Sequence, residues 1–180
     1  MLHGSEYPAA RMIAADSSNF RMASRESYSL VIVHITDGHA DPVPVAQMWQ
    51  TPHHGSSAHF VVGQSGDVIQ AVSLRDVAWH AHARNGTSVG IEHCARSPRE
   101  LNAADAGLPL TDAQLQSSAA LVAWLLQRAG LPCDRQHVMG HAEADAETSH
   151  ADCPEGVAGG WPWERYMALV RSFMDGAAAL

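Results

Sequence analysis

One imidazole interrupts an otherwise apolar and mostly β-branched run, Leu30-Val31-Ile32-Val33-His34-Ile35. Side chains on a strand alternate between its two faces, so apolar residues at both parities leave neither face for water. The run therefore reads as a buried strand, in a sheet that other elements cover. His34 must then be buried, and a buried imidazole needs a partner. Taken alone, a hydrogen bond to backbone would satisfy it.

The rest of the chain supplies the covering layers. Residues 1–27 are polar and rich in turn formers, and are expected to form an arm packed on the domain. Val43 to Gln50 reads as a short helix stopped by Thr51-Pro52. Ala58 to Val62 and Val68 to Val72 flank Gly63-Gln64-Ser65-Gly66-Asp67, the pattern of a hairpin. Ser88 to His93 is a further strand. Thr111-Asp112 opens a helix to Ala129, with Leu115, Ala119, Val122, Leu125 and Leu126 on its apolar face, and Gly130 ends it. His137 to His141 is a strand end, and residues 142–160 form a long polar loop. The last helix is expected from Trp161 to Met174. This order predicts an α/β (mixed α+β) single domain with a central mixed β-sheet flanked by helices. Its expected bounds are 28–175, with a short tail at 176–180.

Composition narrows the function. The 180 residues, 46% hydrophobic and 17% charged, suffice for one ordinary core. A formal charge of -8 argues against nucleic acid, whose phosphates demand a basic face. No run reaches the length of a membrane span, and the first residues lack the pattern of a secretory signal. Three cysteines, Cys94, Cys133 and Cys153, argue against a disulfide framework. Cys94 and Cys133 read as small buried hydrophobes. The 12 histidines are the unusual feature, since histidine binds metals and moves protons near neutral pH.

His141 follows a glycine at a strand end, and Cys153 comes just before Pro154. Two histidines and one thiolate would make a three-ligand zinc site with a fourth position open to water, the catalytic arrangement. Nothing in composition or spacing brings His34 to His141. The pairs His53-His54 and His80-His82 do not suggest a second site, because neighbouring side chains diverge.

Seven motifs occur in one order: VIVHIT, SSAHFVVGQSGDVIQ, AWHAH, SVGIEH, a helix, VMGHAE and ADCPEG. Together they resemble the zinc-dependent N-acetylmuramoyl-L-alanine amidase family, which includes amidase-type phage lysozymes, peptidoglycan recognition proteins and wall-recycling amidases. The resemblance covers residues 28 to about 170. It implies one zinc ion in a surface groove, held by His34, His141 and Cys153. Asp152 is the alternative third ligand if SHAD sets the register; thiolate preference for zinc favours Cys153. The tyrosine that assists catalysis in many members is replaced by Ala58. Glu92 in VGIEH matches the glutamate that recycling members use, and so takes the role of general base and acid. The helper position two residues before the last ligand is Ala151, which leaves His150 as the group to steady an oxyanion. Trp79 and His80 match a segment beside the substrate groove. Trp161, Trp163 and Tyr166 are expected in packing or as one groove wall.

The implied activity is hydrolysis of the amide between N-acetylmuramic acid and L-alanine, in peptidoglycan or muropeptides. A non-catalytic peptidoglycan-binding or sensor protein of the same fold is the alternative. A histidine-rich metal buffer fits poorly, because the histidines are dispersed among strands. The resemblance also leads us to expect a monomer, either cytoplasmic or released to the wall by lysis or a non-classical route.

Overall fold

The computed structural model describes residues 4–98 and 106–178. Eight strands and four α-helices succeed one another. They are β1 (Ala10–Met12), β2 (Phe20–Arg21), β3 (Leu30–Ile35), α1 (Pro42–Met48), β4 (Phe60–Val62), β5 (Val68–Gln70), β6 (Val77–Ala78), β7 (Ser88–His93), α2 (Asp112–Ala129), β8 (Val138–Gly140), α3 (His141–Ala144) and α4 (Trp163–Ala178). Six strands form one sheet in the order β1-β5-β4-β7-β3-β8, and β2 and β6 form a small antiparallel pair. Only β4 and β5 run antiparallel in the large sheet; the other neighbours are parallel, so the sheet is mixed.

The run that holds His34 is the centre of this sheet. β3 pairs with β7 on one side and β8 on the other. Val31 and Val33 point into the larger core with Phe60, Val62 and Ile91, beneath α2 and α4. Ile32 and His34 point the other way, toward the side that α1 covers through Val45, Ala46 and Trp49. Parallel register sets Glu92 beside His34 and Val61 beside Glu92, so all three share that second face.

The turns follow their chemistry. Gly66, with φ of +88°, closes the β4–β5 hairpin in a conformation that L side chains resist. The Asp41 side chain accepts from Val43 N–H at the start of α1. Thr111 caps α2 by accepting from Gln114 N–H, and Gly130 ends it in the left-handed region at φ +66°. All five apolar positions expected on α2 are buried.

Four differences from expectation have physical reasons. The N-terminal arm is woven into the sheet, because Ala10–Met12 pairs in parallel with β5 and covers its edge. The polar stretch after β8 begins with the single-turn helix α3. α4 begins at Trp163, since Pro162 offers its carbonyl to Tyr166 and lies just outside the first turn. α4 runs to Ala178, so it absorbs part of the expected tail, of which residues 179 and 180 lie outside the described residues. No helix among the described residues is long and apolar enough to cross a membrane.

Candidate active site

Two stretches of chain more than 100 residues apart, one with His34 and one with His141 and Cys153, meet at one spot. His34 lies near the end of β3, His141 opens α3 directly after β8, and Cys153 lies in the loop beyond. One donor atom from each of His34, His141 and Cys153 falls within 4.8 Å of the others, and all three residues are buried. The parallel register of β3 with β8, Val33 beside Gly140, sets the two histidines next to each other. Gly140 is needed there because a Cβ would stand 2.6 Å from the Pro154 ring that follows Cys153. Asp152 is exposed, its carboxylate lies against Gly156, and it is not among the clustered donors.

His34 and Cys153 are each held by a hydrogen bond, and His141 faces a carboxylate. Nε2 of His34 lies 3.0 Å from Nδ1 of His80. Nε2 of His141 is buried without a hydrogen-bond partner and faces Oδ2 of Asp145 at 3.6 Å. Sγ of Cys153 accepts from Ile35 N–H at 3.4 Å. Carbonyl oxygen of His34 accepts from Nδ1 of His93, whose Nε2 contacts the Ser118 hydroxyl at 2.6 Å, itself 2.6 Å from the Tyr166 hydroxyl. A buried polar chain thus ties the backbone of His34 to α2 and α4.

Glu92 lines the same groove, and its Oε2 is buried with no hydrogen-bond partner. Burial pushes its carboxyl up to about 8, because a low dielectric disfavours the charged form. Burial also lowers His34 well below the ordinary imidazole value and, with Glu92 nearby, raises the Cys153 thiol. For His141, burial lowers the value while the Asp145 carboxylate opposes it. Without a cation the cluster would hold neutral imidazoles, a neutral thiol and a carboxyl poised near neutrality.

These residues fit a zinc ion. Two imidazoles and a thiol are the donor types that zinc takes, at a spacing one ion can span. An orphaned buried polar atom at the cluster, Glu92 Oε2, marks a place that protein groups alone leave unsatisfied. Outer partners on ligand histidines are a regular feature of metal sites.

The groove has a volume of about 530 Å³. His34, Glu92, His141 and Cys153 lie in its lining, with Trp79, His80, His82 and His150 around them. The His150 ring is exposed and stands 5.8 Å from that of His141, centre to centre. Trp79 is half-buried on the wall, and its backbone N–H donates to the Ser57 hydroxyl. His53 and His54 are exposed and lie outside the groove lining. Cys94 is fully buried in the core under α1, and Cys133 is half-buried against the larger core. Trp161, Trp163 and Tyr166 pack in the core beneath α2 and α4, where the Trp161 ring meets His93 edge-on, and none of them walls the groove.

Two residues at the site have no role in the sequence reading. Asp145 is buried, its Oδ2 lies 2.5 Å from Nδ1 of His82, and that hydrogen bond lowers its carboxyl. The only sequence signal was its position four residues beyond His141, on what proves to be one helical turn. His82 takes a φ of +43°, a region other than glycine rarely adopts, and spans to Asp145 from that strained position.

Three donors with one open side, and a buried carboxyl beside them, are the arrangement of a single-metal hydrolytic site. Comparison with known proteins gives the family. The family described as N-acetylmuramoyl-L-alanine amidase matches residues 24–156. N-acetylmuramoyl-L-alanine amidase A of Achromobacter lyticus is 30% identical over 174 residues, covering 87% of this chain and 90% of that protein. Among solved structures, a selenomethionine derivative of AmpD superposes with a TM-score of 0.69 at 24% identity, covering 94% of this chain and 99% of that one. A mutant endolysin from Bacillus subtilis gives 0.66 at 22% identity, covering 88% and 96%. The two structural matches speak for the fold. The chain belongs to the N-acetylmuramoyl-L-alanine amidase family, and its activity is that of an amidase on peptidoglycan.

Proposed function

We propose that the chain is a zinc-dependent amidase that cuts the bond between N-acetylmuramic acid and L-alanine, with the metal on His34, His141 and Cys153. The observation that carries this reading is the convergence of those three buried donors beside an unpartnered buried carboxyl. When bound, zinc supplies Lewis acidity toward the scissile carbonyl and toward water.

The chain's own groups supply the proton transfers. Glu92 takes the proton of the attacking water and returns it to the L-alanine nitrogen as the C–N bond breaks. Burial raises its carboxyl, so that its ionised form is a stronger base than an exposed carboxylate. His150, in the groove lining, takes the role of steadying the negative oxygen of the tetrahedral intermediate. Trp79 offers an aromatic wall for the sugar or the peptide stem. His80, which lies behind His34, supports that histidine, and its contact with substrate is limited to the part of its ring that lines the groove.

The test is metal content together with digestion of purified peptidoglycan. One zinc per chain is expected, with new L-alanine amino ends that vanish on chelation and return with zinc. Zinc uptake without new amino ends on wall or on muropeptides would replace the enzyme by a binding protein. A protein that takes up no zinc would sink the metal site.

A further inference from the structure

His34 can serve a metal through only one ring nitrogen, and which one is settled by a group that never approaches the groove. We propose that Ser88 and His80 are positioning residues that fix His34 as its Nε2–H tautomer and so leave Nδ1 free for the metal. The proposal deepens the zinc reading above and rests on it for its consequence, though not for its geometry.

The direction of each hydrogen bond follows from a fixed end point. The Ser88 hydroxyl lies 2.8 Å from the Arg84 carbonyl oxygen, which can only accept. A hydroxyl has a single hydrogen, so Ser88 spends it there. The contact of 3.2 Å between Ser88 Oγ and His80 Nε2 must then run the other way, with His80 Nε2–H donating. A neutral imidazole protonated on Nε2 has an acceptor Nδ1. That Nδ1 lies 3.0 Å from His34 Nε2, which therefore carries the hydrogen. The lone pair of His34 is left on Nδ1. The order is thus His34 Nε2–H to His80, His80 Nε2–H to Ser88, and Ser88 O–H to a backbone carbonyl.

The surroundings are shaped to seat His80. A Cβ on Gly90 would stand 2.5 Å from the His80 ring, so only glycine lets the ring lie against β7. Asn85 Oδ1 accepts from the backbone N–H of both His80, at 2.9 Å, and Ala81, at 2.7 Å. His59, fully buried, meets the His80 ring edge-on at 5.8 Å, and its Nδ1 accepts from Gly90 N–H. Ser88 is itself fully buried, which keeps water from competing for its hydroxyl.

Long-range proton–nitrogen NMR on protein labelled at histidine nitrogens reads the tautomer directly, in the chelated state. Wild type is expected to show His34 protonated on Nε2, and Ser88→Ala to show a mixture. Zinc affinity, measured by competition with a chromogenic chelator, is expected to fall about 10- to 100-fold in Ser88→Ala, the range for lost outer partners of a ligand. Ser88→Thr, which keeps the hydroxyl, should restore it. A wild-type His34 protonated on Nδ1 overturns the proposal, and this needs no variant to fold. So does an unchanged zinc affinity in folded Ser88→Ala. A His34 protonated on Nε2 in a wild type that takes up no zinc would support the relay and overturn the metal reading instead.

Discussion

Glu92→Gln keeps the shape of the side chain and removes its ability to take a proton. The expected result is full zinc content with kcat lowered about 10²- to 10⁴-fold, the range for a lost general base; metal analysis and turnover on a muropeptide check it. A fully active variant would move the base elsewhere. Cys153→Ser should weaken zinc binding far more than Asp152→Asn, because the thiol lies in the cluster while the Asp152 carboxylate turns to Gly156; chelator competition on both variants compares them. His34, His141 and Cys153 were singled out only through the family resemblance that the order of motifs carries, since each taken alone has an ordinary structural reading; the structure brings their donor atoms together. Asp145, His82 and Ser88 were not legible. Each acts through a partner on another segment, 63 residues away in the case of His82 and Asp145, and no local pattern records such a pairing.

Strands place these side chains, and the exactness of placement resides in small residues. Gly90→Ala would press a methyl group into the His80 ring, on a central strand whose backbone cannot retreat. The expected loss is about 1–3 kcal/mol of stability, as for an overpacked core, read from urea unfolding, with weaker zinc binding alongside. Long, patterned elements were readable in advance: β3 by its apolar run, α2 by its periodicity and caps. β1 was not, since a strand of three residues with mixed exposure carries no pattern of its own, and β5 supplies the reason it is a strand at all. The start of α4 differs from expectation because Pro162 can precede a helix as readily as open one.

For the whole molecule, two buried histidines make the metal-free fold sensitive to acid. Burial lowers His59 to about 3 and His93 to about 4. In the unfolded chain each takes up a proton near pH 6.5, about the free imidazole value. Over the window from there down to about 3–4 the unfolded state binds more protons, so stability falls as pH falls. By pH 5 the loss should approach roughly 2 kcal/mol for each histidine. Urea unfolding of chelated protein at pH 7 and pH 5 measures it; equal stabilities would show that these rings are not held neutral. Zinc should act in the opposite sense. Free metal at about 1,000 times its dissociation constant adds about 4 kcal/mol, seen as a higher melting temperature that chelation reverses.

The distance in sequence between His34 and the other two donors also bears on the order in which the protein comes into being. The contact of Ile35 with Cys153 spans 118 residues, and β3 finds its neighbours only among strands made later. A nascent chain that has emerged through β7 holds one donor of the cluster and no place for an ion. Zinc therefore cannot template the early collapse, as it does in small fingers whose ligands are close in sequence. On the proposed zinc reading, the ion would meet a sheet already assembled and would add stability only to the finished fold.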